Sequence, residues 1–95
     1  METRPRVTVV ISAKNEEQDI AEAVRGARPH CDEVLVMDGH STDKTRDVAK
    51  AEGARVELDP GKGKGSAIRA SLTLATGDIV VFMDADGSHD PLDIP

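Results

Sequence analysis

Ile79-Val80-Val81-Phe82-Met83-Asp84-Ala85-Asp86 is the stretch that decides the architecture. An unbroken apolar run rich in β-branched residues, ending abruptly in Asp-x-Asp, reads as a buried strand carrying two carboxylates to its C-terminal tip. On an extended chain, residues i and i+2 point to the same side. Asp84 and Asp86 therefore form a hard, oxygen-rich pair beside Gly87, of the kind Mg²⁺ or Mn²⁺ accepts. Like charges this close repel unless a cation joins them. In open α/β sheets, ligands sit outside the carboxyl ends of the strands, where this pair would stand.

Working outward, three more apolar runs precede it. Val7 to Ile11 is nearly all β-branched, Val34 to Met37 runs into Asp38, and Val56 to Leu58 is shorter. Helical signals fill the gaps. Asn15 offers an N-cap with Gln18 three residues on as a capping box, and Ile20, Ala23, Val24 and Ala27 recur at helical spacing until Pro29. Ser41, Thr42 and Asp43 suit a second helix start and Gly53 its end. Ala67, Ile68, Ser71, Leu72 and Ala75 mark a third helix, closed by Thr76-Gly77. The order is βαβαβαβ. Continuous rather than alternating apolar runs predict parallel strands covered on both faces, so the fold class is α/β with a Rossmann-like parallel sheet. A four-strand half-sheet has a bare edge. The expectation is that residues 1–95 are the N-terminal part of one larger domain.

Each strand ends in polar residues: Ser12, Lys14, Asn15 and Glu16 after the first, Asp38 after the second, Lys62 and Lys64 beyond the third, Asp84 and Asp86 after the fourth. In a parallel sheet these ends share one rim. Gly61-Lys62-Gly63-Lys64-Gly65-Ser66 precedes a helix and could turn backbone N–H groups toward an anion. It is not a P-loop, because Lys64 is followed by Gly65 and Leu58 stands where the first glycine belongs. A solvated connection would look the same. Asp38 could serve a base or ribose, or cap an ordinary turn. His40 and His89 stand alone in loops, without ligand spacing to another His or Cys.

Composition narrows the partners. With 18 acidic and 12 basic residues and a net charge of −6, the chain is no general nucleic-acid binder. A polyanionic ligand would need a metal or a few placed lysines. Phe82 is the one aromatic residue, so there is no Trp or Tyr for a base to stack on. Cys31 is the one cysteine, which excludes an internal disulfide and points to a reducing, cytoplasmic setting. No apolar run approaches the roughly 20 residues that cross a bilayer. Membrane association would come from regions or acceptors outside this chain.

Taken in order, the motifs resemble family 2 glycosyltransferases of the GT-A, nucleotide-diphospho-sugar transferase type, and most nearly the dolichyl-phosphate mannose synthase and polyprenyl-phosphate glycosyltransferase branch. Val9-Val10-Ile11-Ser12-Ala13-Lys14-Asn15-Glu16 resembles the opening strand, and Val36-Met37-Asp38-Gly39-His40-Ser41-Thr42-Asp43-Lys44-Thr45 the Val-Val-Asp-Asp-Gly-Ser-x-Asp-Gly-Thr segment. Gly63-Lys64-Gly65-Ser66-Ala67-Ile68-Arg69 resembles the Gly-Lys-Gly step, and Met83-Asp84-Ala85-Asp86 with Ser88-His89-x-Pro91 the metal-site run. Departures are specific. Ser12-Ala13-Lys14 replaces Pro-Thr-Tyr, whose Tyr lines the base pocket; Gly39 replaces the second Asp; His40 occupies the usual glycine.

The resemblance implies a sugar transferred from a nucleotide-diphospho-sugar donor to an acceptor, a polyprenyl phosphate in that branch, with Mg²⁺ or Mn²⁺. Substrate-binding residues would be Ser12, Ala13, Asn15, Glu16, Asp38, Lys64, Asp84, Ala85 and Asp86, with Asp84 and Asp86 as metal ligands. The catalytic base is expected beyond Pro95. Two alternatives stay open: a haloacid-dehalogenase-type phosphatase with Asp84 as nucleophile and Asp86 as acid/base, and a non-catalytic nucleotide-binding module. Against the phosphatase, three βα units precede the Asp-x-Asp.

Overall fold

The computed structural model describes residues 5–61 and 64–85. The strands are β1 (Val7–Ala13), β2 (Glu33–Asp38), β3 (Arg55–Leu58) and β4 (Ile79–Asp84), and the helices α1 (Ile20–Ala27), α2 (Thr45–Ala51) and α3 (Lys64–Leu74). A 3₁₀ turn, Arg28–His30, holds Pro29 just past α1. All pairings are parallel, in the order β3-β2-β1-β4. The expected βαβαβαβ sheet is what forms. The strands run slightly longer than their apolar cores, so that Asp38 and Asp84 are themselves the last residues of β2 and β4.

The order follows from handedness. From β1 through β2 to β3 the chain steps one way, and right-handed crossovers put α1 and α2 on one face. It then returns across the sheet to place β4 on the free side of β1, so α3 crosses on the opposite face. The core divides accordingly. Val9, Ile11, Val34 and Val36 pack with Ile20, Val24 and Ala49 of α1 and α2. Val10, Leu35 and Met37 pack with Ala70 and Leu74 of α3. Ile11, Ile20 and Leu35 are fully buried, each worth about 1.5–3 kcal/mol of apolar transfer. Strand β4 lies at an edge and leaves Ile79 and Phe82 each 38% exposed.

The first helix departs from expectation. The N-cap at Asn15 and its capping box with Gln18 do not form; α1 begins at Ile20, with Asp19 before it and no side-chain cap. Asn15 instead takes a φ of 53°, a left-handed conformation that Asn tolerates better than most residues. The amides of Asp19 and Ile20 close the intervening turn on the carbonyl of Glu16, at 3.0 and 2.8 Å. The second helix begins at Thr45, whose N–H donates to the Asp43 carboxylate at 2.9 Å. Gly53, with φ 93°, follows that helix as its composition predicts.

Candidate active site

The loop after β1 is fastened to the turn after β2 by bonds that cross between the two. The Asn15 N–H donates to Ser41 Oγ at 2.8 Å, and the Glu16 N–H to Thr45 Oγ1 at 2.8 Å. In return, the Thr42 N–H donates to Asn15 Oδ1 at 2.8 Å. Ser41 passes the load inward: its N–H and hydroxyl donate to the two Asp38 carboxylate oxygens at 2.8 and 2.6 Å. Asp38 is fully buried, with Arg46 3.6 Å from the same carboxylate. Thr45 Oγ1 also donates to Asp43. That hydroxyl bond, joined by backbone amides, outweighs partial desolvation and holds the Asp43 carboxyl below the ordinary aspartate range.

This frame supports an open cleft of about 360 Å³ at the carboxyl ends of the strands. Ser12 and Ala13 contribute from the tip of β1, Asp84 from the end of β4 with Ala85 just past it, and Met37 from β2 with Gly39 just past its end. Ser12 pairs with Asp84 in the β-ladder, and the Ala85 N–H donates to the Ser12 carbonyl at 3.0 Å. The cleft therefore lies over the β1–β4 junction, where the strand order reverses, which is where open α/β sheets bind ligands.

Of the sequence-predicted residues, the structure brings Ser12, Ala13, Glu16, Asp84 and Ala85 together around this cleft. Asn15 and Asp38 do not line it. Both were expected at the substrate; the structure engages their side chains in the supporting frame, Asn15 with Thr42 and Asp38 with Ser41 and Arg46. Lys64 is the first residue of α3, but its side chain, together with Asp86, Lys62 and the Ser88-His89-x-Pro91 run, lies outside the described residues.

Four lining residues were not among those expected: Met37 and Gly39, and the two charged ones, Lys14 and Asp59. For Lys14 a signal existed, since it stands where the resemblance puts a pocket-lining Tyr. The Lys14 stem runs over Gly39: a Cβ there would lie 3.4 Å from the Lys14 Cβ and 3.6 Å from its Cδ, at ordinary van der Waals contact. Asp59 gave no local signal. It reaches the cleft because its N–H continues the β2–β3 pairing, donating to the Asp38 carbonyl at 2.9 Å.

The described lining carries carboxylates from Glu16, Asp59 and Asp84 against one cation, Lys14. A diphosphate entering such a cleft needs added positive charge. Among the described residues no group of three or more His, Cys, Asp or Glu side chains is arranged as a metal cage. The exposed Asp84 carboxylate, which forms no ion pair among the described residues, nonetheless suits Mg²⁺ or Mn²⁺. Such ions bind through one or two carboxylates, with substrate phosphates and water completing the shell.

Residues 8–95 match Glycosyl transferase family 2. The chain belongs to glycosyl transferase family 2. An uncharacterised glycosyltransferase of Mycobacterium tuberculosis (strain ATCC 25618 / H37Rv) is 46% identical over 89 residues, covering 94% of this chain and 40% of that protein. The glucosyl-3-phosphoglycerate synthase of Mycolicibacterium smegmatis is 38% identical over 102 residues, covering 94% of this chain and 34% of that one. Among solved structures, the M. tuberculosis glucosyl-3-phosphoglycerate synthase in complex with Mn²⁺, uridine diphosphate and phosphoglyceric acid superposes with a TM-score of 0.76 at 38% identity. It is matched over 85% of this chain and 33% of its own. The family 2 chain thus spans roughly a third to two fifths of the length of these relatives. At the level of family and GT-A-type fold, the resemblance read from the motifs holds, and the phosphatase alternative is overturned. The narrower likeness to the polyprenyl-phosphate branch is not shown, since the named synthases among these relatives make glucosyl-3-phosphoglycerate.

Proposed function

We propose that residues 1–95 form the nucleotide-sugar-binding part of a metal-dependent glycosyltransferase. The donor is a uridine-diphosphate sugar, and the acceptor is a small phosphorylated acid of the phosphoglycerate kind. The observation that carries this reading is the cleft over the β1–β4 junction, with Asp84 at its edge and the Asp-x-Asp run continuing from it. The relatives that bind Mn²⁺, uridine diphosphate and phosphoglyceric acid support the choice of donor, metal and acceptor.

In this reading Ser12, Ala13 and Glu16 hold the nucleoside end of the donor, and Asn15 and Asp38 act beneath them by fixing the loop that presents Glu16. Asp84 and Asp86 hold the divalent ion. Bound there, the ion serves as Lewis acid toward the leaving nucleoside diphosphate and neutralises its charge. Lys14 and Lys64 add positive charge along the donor. The acceptor oxygen attacks the anomeric carbon and the base belongs to sequence beyond Pro95, so the 95-residue chain binds donor without transferring sugar. The lone Cys31, a half-buried free thiol, suits a reducing, cytoplasmic setting. The Met83-Asp84-Ala85-Asp86 run with Ser88-His89-x-Pro91 favours a second acceptor, a polyprenyl phosphate.

Calorimetric titration with uridine diphosphate, with and without Mn²⁺, tests the donor reading. Mn²⁺ should tighten binding, EDTA should remove that gain, and Asp84→Asn should lower the affinity with Mn²⁺ at least tenfold. An affinity that does not respond to the metal would favour a non-catalytic nucleotide module. Transfer assays on a full-length enzyme, offering 3-phosphoglycerate and a polyprenyl phosphate side by side, decide the acceptor. Sugar transfer by the 95-residue chain alone would overturn the half-domain reading.

A further inference from the structure

His40 has a φ of 63°, in the left-handed region. A β-carbon makes that conformation less favourable than it is for glycine. The histidine ring makes a contact that holds it there. His40 Nε2 lies 2.8 Å from the backbone carbonyl of Asp59. A carbonyl only accepts, so Nε2 carries the proton in this bond. The ring is exposed, so burial does not force the contact.

The carbonyl it holds is well placed. Asp59 lines the donor cleft. Its N–H is already bound to the Asp38 carbonyl at the tip of β2, at 2.9 Å. With the His40 bond, both backbone polar groups of Asp59 are fastened to the β2 end. The Asp59 carboxylate in turn accepts the Gly61 N–H at 2.5 Å. That turn leads toward Lys64, where α3 begins. We infer that His40 is a positioning residue: it clasps the β3–α3 loop to the tip of β2 and so sets the wall of the donor cleft opposite Asp84. It touches neither donor nor metal.

The proposal rests on the cleft being the donor site, and the test separates the two. In His40→Gly the backbone is relieved while the clasp is lost. Amide hydrogen exchange without any ligand should therefore quicken at least threefold in peptides spanning 55–61 and stay unchanged in β1. The apo melting temperature should not fall. Uridine diphosphate with Mn²⁺ should bind about three- to tenfold more weakly, the range a single hydrogen bond covers. His40→Gln, whose amide nitrogen also donates, should recover most of the affinity without gaining stability. Wild-type exchange in the 55–61 peptides of His40→Gly would overturn the clasp. So would a loss of affinity that tracked a fall in melting temperature across the variants. Failure of the wild-type chain to bind uridine diphosphate with Mn²⁺ would instead overturn the donor reading, and the exchange comparison would still decide the clasp.

Discussion

Replacing Asp38 with alanine should unfold the protein more readily before it changes any ligand contact. The carboxylate is fully buried and accepts two bonds from Ser41, at 2.8 and 2.6 Å. Hydrogen bonds to an ionised group contribute about 1.5–3 kcal/mol, and a buried donor left without its partner costs about 1–3 kcal/mol. These overlap, because Ser41, itself 4% exposed, is the partner in both. Arg46, 3.6 Å away and partly exposed, adds little after solvent screening. The sum is about 3 kcal/mol. A chain of this length is stable by about 5–14 kcal/mol in total, so Asp38→Ala should lower the melting temperature by roughly 12–24 °C. Asp38→Asn should cost about half as much, since one oxygen still serves the Ser41 hydroxyl while an NH₂ group meets the Ser41 N–H. Urea denaturation followed by circular dichroism gives the stability, and titration with uridine diphosphate and Mn²⁺ gives the affinity. An Asp38→Ala chain within about 0.5 kcal/mol of wild type that had nevertheless lost all nucleotide affinity would refute the reasoning. Asp38 would then be a ligand and not a strut.

Three further outcomes follow from the structure. A Cβ on Gly77 would sit 2.6 Å from Thr8 Oγ1, 2.7 Å from Thr8 N and 2.9 Å from the Arg6 carbonyl. Two of these are backbone atoms leading into β1, so Gly77→Ala should cost about 2–4 kcal/mol through displacement and loss of the Gly77 N–H bond to Thr8. Gly26→Ala, within α1 and with nothing inside 4 Å of the new carbon, should instead stabilise by about 0.5–1 kcal/mol in the same urea assay. On acidification, Glu33, Asp43 and Glu52 should act together. Burial opposes ionisation of Glu33, but the Thr76 N–H, the Thr8 and Thr76 hydroxyls and Arg55 outweigh it. The Thr45 hydroxyl lowers Asp43, and Arg25 lowers Glu52. Folded-state values below the unfolded ones mean stability that is present above the unfolded carboxylate range and lost as pH falls through the folded values. Melting temperature should hold near neutrality and drop below about pH 4; a rise there would contradict the assignment.

The central strands β1 and β2 were legible because burial on both faces leaves a near-continuous apolar run in the sequence; β3, interrupted by Glu57, and β4, expected to be buried, are instead partly exposed at the two edges of the described sheet. The tip of β4 was legible all the same: Asp84 ends an apolar run so sharply that its place at a strand end needs no tertiary information. The start of α1 was misread because Asn15 and Gln18 satisfy a local capping pattern while a distant partner outbids it. Ser41 and Thr45 reach the loop after β1 from 26 and 29 residues away. Glu16 lines the cleft because that lock holds its loop there.

The order of elements and the acid pair at the end of β4 belong to the sequence by itself, since both follow from local periodicity and residue chemistry. Which acid faces the cleft was decided only in three dimensions. Asp38 and Asp84 each close a strand after an apolar run and look equivalent in one dimension. Asp38 continues the Val34–Val36 side of β2, packed against α1 and α2, where Ser41 and Arg46 hold it buried. Asp84 continues the Val80 side of β4, on an edge strand, with its carboxylate open to the cleft. Strand parity and strand order separate the two, and strand order is set by the crossover that brings β4 back beside β1.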